Sequence, residues 1–266
     1  MAKIKVMTFN LRTRVTKDGN NCFDNRTEKI KEMLANEKPD IIGFQEVTTF
    51  MQDWLKETLT DYYVLGCGRD AVYQGEGIPI AFRKDSFNLY NFHQEWLSLY
   101  PQKPASCLNS LDQSRCPRIF SCAELVHKDS DVPFAIYNIH TDHRGQMARI
   151  VECATLMRAV AASPYRFVLT GDFNARPDTP EIHLITETAE ELGTVEATSG
   201  IVGSFHGFKG DVGERKIDYI FTTPDITVEG AFVPSDVVSD HLPLIADITF
   251  QGEINENLFN STEIQL

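Results

Sequence analysis

Apolar and polar positions along the chain switch repeatedly between the two-residue period of a strand and the 3.6-residue period of a helix. Ile4 to Phe9 alternates as a strand and ends at Asn10. Ile30, Met33 and Leu34 recur at helical spacing, and Pro39-Asp40 closes that helix. The short apolar run Ile41 to Phe44 predicts a buried strand ending at Gln45-Glu46. The helix after it takes Phe50, Trp54, Leu55 and Leu59 as its apolar stripe. Tyr62 to Leu65, Ile78 to Phe82, Ile119 to Leu125 and Phe134 to Ile139 read as strands, the last delivering His140. Gln146 to Ala162 is an amphipathic helix, and Arg166 to Thr170 a strand. Thr179-Pro180-Glu181 predicts a helix start, with Thr179 as cap and proline in the first turn. Ile217 to Thr222 and Leu244 to Phe250 complete the strands.

Two halves emerge, each of strands with a few helices, and neither a Pro/Gly/Ser-rich linker nor a short-period repeat separates them. The expectation is one α/β domain over 1–250 with two packed sheets and helices outside, followed by a polar, Asn/Glu-rich extension over 251–266. The long polar stretch Pro101 to Pro117 is expected to be functional or mobile.

With 42% hydrophobic and 24% charged residues in 266, the chain has the composition of a globular protein that builds its core without disulfides or a structural metal. Its six cysteines form no Cys-x-x-Cys pair, so free thiols are the expectation; only Cys107 and Cys116, flanking the polar loop, leave a pairing open. No apolar run has the length of a membrane span. The N-terminus enters a strand pattern without a secretory apolar segment, which reads as an intracellular, cytoplasmic protein. A net charge of −13 opposes a general polyanion-binding surface. A bound divalent cation would reverse that logic locally at an acidic site.

The candidate chemistry sits where apolar runs end. Phe167-Val168-Leu169 delivers Gly171, Asp172 and Asn174 to a strand exit. A carboxylate there can take a proton from water, and a carboxamide can hold that water or a phosphoryl oxygen in line. Asn10, Glu46, His140 with Asp142, Asp218 and the pair Asp240-His241 occupy equivalent places. Strand ends converge in a layered sheet protein, so these groups can meet in one pocket. Taken singly, Asn10 and Glu46 also read as caps, Asp218 as a solvent-facing edge residue and His241 as a core histidine. Together they form an oxygen-rich donor set without clustered thiols, which suits Mg²⁺ or Mn²⁺.

At these residues the chain resembles the endonuclease/exonuclease/phosphatase superfamily, also called DNase I-like. The matching words are Thr8-Phe9-Asn10, Gln45-Glu46, Asn138-Ile139-His140, Gly171-Asp172-Phe173-Asn174, Ile217-Asp218-Tyr219-Ile220 and Ser239-Asp240-His241. The resemblance implies a four-layer α/β/β/α sandwich and divalent-metal phosphoester hydrolysis. It implies that Glu46 is the principal Mg²⁺ or Mn²⁺ ligand, with Asn10 and Asp240 completing the site. Asp172 would activate water and Asn174 orient it; His241, its tautomer fixed by Asp218, would bind a phosphoryl oxygen. His140 would be a second phosphate-binding or acid group paired with Glu76, and Arg118 would reach towards the phosphate. Trp96-Leu97-Ser98, Pro117-Arg118-Ile119, His143-Arg144-Gly145 and Ser204 to Phe208 resemble a compact bacterial group. Thr141 and Phe120-Ser121-Cys122 depart from the usual residues of that pattern. The expected substrate is a small or flexible phosphorylated molecule, with Arg83, His143, His206 and Phe208 as candidate contacts. A nuclease is the alternative, and its cleft would be framed by cations from Arg12, Arg14, Lys17, Arg83, Arg118 and Arg144. A non-catalytic binding module on the same fold is the third reading.

Overall fold

The computed structural model describes residues 3–130, 133–187, 193–210 and 213–250. Two six-stranded mixed sheets lie face to face. The first runs in the spatial order β11 (Ile226–Phe232), β12 (Leu244–Phe250), β1 (Lys3–Asn10), β2 (Ile41–Gln45), β4 (Ile80–Arg83), β3 (Tyr62–Leu65). The second runs β5 (Phe87–Trp96), β6 (Ile119–His127), β7 (Pro133–His140), β8 (Phe167–Asp172), β10 (Asp218–Thr222), β9 (Val195–Glu196). Each sheet has one parallel pair, β1 with β2 and β7 with β8, and the rest is antiparallel. Each parallel pair needs a crossover, supplied by helix α1 (Thr27–Glu37) in the first sheet and α3 (Gln146–Ala162) in the second. Helices α2 (Thr49–Thr58) and α4 (Pro180–Glu187) complete the outer layers. The expected four-layer α/β/β/α sandwich is the observed fold. The extension 251–266 lies outside the described residues, and no helix among those described is long and apolar enough to cross a membrane.

Three apolar cores follow from strand parity. Ile4 and Val6 of β1 face the second sheet and pack with Phe82, Phe134, Ile136, Val168 and Ile220. Met7 and Phe9, on the other face, pack with Ile30, Met33, Leu34, Met51 and Leu55 of the helices. Tyr137, Ile139 and Leu169 do the same against Leu156, Val160 and Ile185. Alternate residues of a strand point to opposite faces, so the apolar runs of the four central strands are buried on both sides.

On the inner face the side chains turn polar along the strand. Ile136 is followed by Asn138 and His140, Val168 by Thr170 and Asp172, Val6 by Thr8 and Asn10, Ile41 by Gly43 and Gln45. A buried amide network joins the sheets there. Gln45 Nε2 donates to Asn138 Oδ1 at 2.7 Å and to Thr8 Oγ1 at 3.1 Å. Asn138 Nδ2 donates to the Phe44 carbonyl at 2.8 Å. The sheets approach closely enough that a Cβ on Gly43 would lie 2.1 Å from Thr170 Oγ1 and 2.7 Å from Asn138 Oδ1.

The loop over 101–117 is pinned in place. Asp112 Oδ1 accepts from Ala148 N at 2.9 Å, which supplies an acceptor to the start of α3, where the N-cap residue Gly145 has no side chain to offer one. A Cβ on Gly145 would stand 2.6 Å from the Asp112 carbonyl, so the close approach requires glycine. Gln113 Nε2 donates to buried Glu152 at 3.0 Å, and Glu152 also accepts from Asp142 N at 2.7 Å. All six cysteines are free, Cys107 and Cys116 included.

Several local expectations change. The buried face of α2 is Met51, Gln52 and Leu55, while Phe50 is half exposed beneath the Arg14 guanidinium, 4.5 Å from its ring centroid. Thr179 donates its hydroxyl to the Arg176 carbonyl at 2.8 Å, and its backbone oxygen accepts from Ile182 and His183. Strands β5 and β11 carry no clear alternation because each is half-exposed along most of its length and held by pairing to β6 and β12.

Gly43→Ala is expected to lower stability by about 1–3 kcal/mol in urea unfolding, because the Asn138 amide tied to the opposite sheet resists displacement. Burial pushes the Glu152 carboxyl up to about 7, so below that pH the folded protein holds a proton that an unfolded glutamate has released. Its contribution is full below the ordinary glutamate range and is lost as pH rises through about 7. Tm is expected to fall across that window, and Glu152→Gln to flatten the slope.

Candidate active site

Strand register assembles the site. His140 at the end of β7 lies opposite Asp172 at the end of β8, and Asp172 lies opposite Asp218 at the start of β10. In the first sheet Asn10 lies beside Gln45, and Glu46 follows directly. Thr8 of β1 pairs with Leu244 of β12, which places the preceding Asp240-His241 next to Asn10. Ser239 secures that approach by donating its hydroxyl to the Asn10 carbonyl at 2.8 Å. The resulting cleft encloses about 390 Å³ and is lined by residues from both sheets, among them Glu46, His140, Asp172, Asn174, Asp240 and His241.

Asp172 is its centre. One carboxylate oxygen accepts from Asn10 Nδ2 at 2.9 Å and has His140 Nε2 at 3.6 Å and His241 Nε2 at 3.7 Å. The other accepts from the Asn174 backbone N–H at 2.9 Å. Burial and the neighbouring Asp218 push this carboxyl up to about 7. His241 Nδ1 is 2.8 Å from Asp218 Oδ2. Burial pulls its imidazole down, but Asp218 and Asp172 outweigh that and lift it to about 10, which makes it a cation at neutral pH. His140 goes the other way: burial, then the charges of Arg118 and Arg69, hold it well below the ordinary histidine range and neutral. Two histidines flanking one carboxylate thus differ in charge because one has a carboxylate partner and the other does not.

Glu46 and Asp240 face each other across a guanidinium. Arg12 lies 3.9 Å from Glu46 and 3.8 Å from Asp240, and is itself bonded to Asp18 at 2.9 Å. Burial raises the Asp240 carboxyl, with His241 and Arg12 opposing and Glu46 adding to it. Glu46 and Asp240 are hard carboxylate oxygen donors lining one cleft, a donor chemistry that fits Mg²⁺ or Mn²⁺. Asn10 Oδ1 accepts from the Arg12 backbone N–H at 2.9 Å, and its NH₂ group faces Asp172 at 2.9 Å and Glu46 at 3.3 Å. Asp172, Asp218 and His241 also bring ligand atoms within 4.8 Å of one another. Geometry admits an ion in that cluster, but the protonated imidazole opposes one there. Arg12, Glu46 and Asn174 all have left-handed backbones, with φ of 55°, 60° and 47°. Such conformations persist only where the surroundings impose them. Buried Arg26 does so at Arg12 by donating to the Leu11 and Arg12 carbonyls at 2.8 and 3.0 Å.

Other expected residues are distributed unevenly. Glu76 lines the cleft but pairs with Arg69 at 2.7 Å, and His140 Nδ1 has no hydrogen-bond partner, so the expected Glu76–His140 pair is not formed. Arg118 and His143 share the wall beside them. His206 and Phe208 lie in an adjoining groove of about 600 Å³ that meets the cleft at Arg12, Phe205, Arg215 and Asp240. Arg83 is elsewhere: β4 runs antiparallel to β2 and carries it to the far end of the sheet, where it pairs with Asp40 at 3.4 Å and lies over Tyr62. Thr141 is buried and donates its hydroxyl to the Phe173 carbonyl, tying the two strand exits together. Sequence reading gave no site role to Arg69, and to Arg12 only that of a framing cation. Arg12 carries one signal, its place two residues beyond Asn10 on a strand exit. The Thr13 N–H, which bonds Glu46 at 2.9 Å, carries none, because every residue has one.

Comparisons with known proteins agree with this architecture. An uncharacterised protein of Acanthamoeba polyphaga mimivirus is 24% identical over 245 residues, covering 84% of this chain and 91% of the relative. The crystal structure of an endonuclease/exonuclease/phosphatase from Bacteroides vulgatus superposes with a TM-score of 0.88 at 28% identity, over 94% of this chain and 100% of that one. A mannosyl-6-phosphatase from Bacteroides thetaiotaomicron gives 0.85 at 25% identity, over 93% and 100%. The model of the Endonuclease/Exonuclease/phosphatase family matches residues 7–241, the span from β1 to His241 that builds the cleft, and the chain belongs to that family.

Proposed function

We propose that this protein is a divalent-metal-dependent phosphoester hydrolase that cleaves a small or flexible phosphorylated substrate by in-line attack of water. The observation that carries the reading is the position of Asp172, between the Glu46–Asp240 acid pair and the His241–Asp218 pair in one cleft. The phosphatase activity named for the Bacteroides neighbour supports a phosphorylated small molecule. A chain of net charge −13 offers little grip on a nucleic-acid backbone, which weighs against the nuclease reading.

In this reading Glu46 and Asp240 would hold a Mg²⁺ or Mn²⁺ ion, and the ion would supply Lewis-acid stabilisation of negative charge on the phosphoryl group. Asp172 takes the proton from the attacking water. Its carboxyl near 7 suits a base that must be free to accept at neutral pH. Asn174 donates its amide NH₂ to the Thr141 carbonyl at 3.1 Å, which leaves its oxygen to accept from that water. His241, kept charged by Asp218, donates from Nε2 to a phosphoryl oxygen as negative charge builds on it. His140, neutral and buried with Nε2 3.6 Å from Asp172, would donate to the same phosphoryl group without adding a charge that would lower the base's proton affinity. His206 and Phe208 line the groove in which the remainder of the substrate would lie.

Assays of p-nitrophenyl phosphate, bis-p-nitrophenyl phosphate and plasmid DNA with Mg²⁺, Mn²⁺ or EDTA test the reading. Ester turnover that EDTA abolishes, without nicking of DNA, is expected; nicking would favour the nuclease, and silence on all three would favour a binding module. Asp172→Asn is expected to keep the fold and lower kcat by roughly 10²–10⁴-fold; unchanged turnover would remove Asp172 from the mechanism. Glu46→Gln is expected to shift the metal titration to higher Mg²⁺ with partial recovery in Mn²⁺, and an unshifted titration would refute that ligand.

A further inference from the structure

The sequence resemblance implies that Arg118 reaches the phosphate, but its surroundings give it another task. The guanidinium is 3% exposed, and its Nε and Nη1 are buried without a hydrogen-bond partner. Its Nε sits 3.6 Å from Asp142 Oδ2. Its Nη2 is 2.9 Å from Nδ1 of His143, whose ring is exposed and lines the same cleft as Asp172. An exposed histidine is ordinarily free to rotate and exchange tautomers, whereas this ring is fixed by a buried charge.

We propose that Arg118 is a positioning residue that locks His143 as the neutral, Nε2-protonated tautomer, so that His143 presents one N–H donor to an acceptor oxygen on the substrate's leaving group. The proposal rests on the hydrolase reading of this cleft.

The tautomer follows from donor arithmetic. A guanidinium has five N–H donors, no acceptor, and does not lose its proton in proteins. Nδ1 of His143 must therefore accept, and the ring proton resides on Nε2. Burial and then Arg118, with Arg144 and Arg69 adding to it and Asp142 opposing, hold the ring below its ordinary range, in keeping with a neutral form. The anchor beneath is rigid. Asp142 accepts from Gly145 N at 2.8 Å, Arg144 N at 2.9 Å and Ser114 N at 3.1 Å, and from the Ser114 hydroxyl. Ser114 belongs to the pinned loop over 101–117, so that loop, through Asp142 and Arg118, sets the orientation of His143.

The partner is argued from position and charge. His140 already stands at Asp172, where the phosphoryl group reacts. His143 lies three residues further along the chain, beyond the strand end and exposed at the rim, where it would face the part of a substrate outside the phosphoryl group. A neutral N–H suits an uncharged acceptor such as a hydroxyl or ring oxygen, and it does not retain the phosphate product as a cation would. The substrate class is accordingly a phosphoester whose alcohol carries a hydroxyl or ether oxygen near the ester, rather than a plain aryl or alkyl group.

Two measurements on the purified full chain test this. Nitrogen-15 spectra of the ring nitrogens are expected to show His143 protonated at Nε2 alone, and Arg118→Ala to produce a mixture of tautomers while the other resonances report an intact fold. An Nδ1-protonated ring in the wild type, or an unchanged tautomer in Arg118→Ala, would overturn the positioning role whatever the activity. Kinetically, His143→Ala and Arg118→Ala are each expected to raise KM for glycerol 2-phosphate by roughly tenfold, the worth of one neutral hydrogen bond, and KM for phenyl phosphate by under twofold. His143→Gln, which keeps an N–H donor, is expected to recover part of the loss. Equal effects on both esters, or turnover of the phenyl ester alone, would overturn the leaving-group assignment. Failure to hydrolyse either ester, with the tautomer signature intact, would bring down the hydrolase reading and the acceptor assignment with it.

Discussion

The hydrogen bond from Gln45 to Asn138 across the inter-sheet space, 2.7 Å long and wholly buried, is the contact on which the site depends. Hydrophobic packing alone would let two sheets slide and rotate, because it has no direction. A buried amide pair has one geometry that satisfies it and a large penalty elsewhere. It fixes the ends of β1 and β2 against the ends of β7 and β8, two residues below Asn10, His140 and Asp172. Gly43 permits the approach by lacking a side chain. The polar cluster above is thus a continuation of the sandwich interior, where the inner face changes from isoleucine and valine to amides and then to acids and histidines.

Burial then assigns charge. Within one cleft, Asp172 is pushed towards neutrality, His241 is held as a cation and His140 as a neutral ring, although both rings lie within 4 Å of the same Asp172 oxygen. The difference comes from Asp218, which favours the proton on His241, and from Arg118 and Arg69, which disfavour one on His140. Arg12 answers the acid pair on the opposite side, tethered by Asp18 so that it spans Glu46 and Asp240 without a direct bond to either. A protein of strongly negative net charge therefore carries a balanced arrangement of charge in this cleft.

Much of this was legible in the sequence, and the reasons differ by element. The central strands were readable because burial on both faces leaves continuous apolar runs, and β3, β12 and α3 emerge with the boundaries expected. Edge strands β5 and β11 were not, since half their side chains face water and pairing alone holds them. The acids and histidines of the cleft were found because each ends an apolar run, a signal set by strand parity. Arg83 was misplaced for want of strand direction: the sequence does not say which end of the sheet an antiparallel neighbour reaches. Glu76 was assigned to His140 but pairs with Arg69, because which of several nearby polar groups bonds to which is decided at the scale of ångströms. The anchoring of the loop over 101–117 by Asp112 and Ser114 was invisible for the same reason.

The central claim is that Glu46 and Asp240 hold a dication beside Asp172. Anomalous diffraction from crystals grown with Mn²⁺ tests it most directly. A single peak between the Glu46 and Asp240 carboxylates is the predicted result. A peak among Asp172, Asp218 and His241 instead, or no ordered ion anywhere in the cleft, would contradict the account.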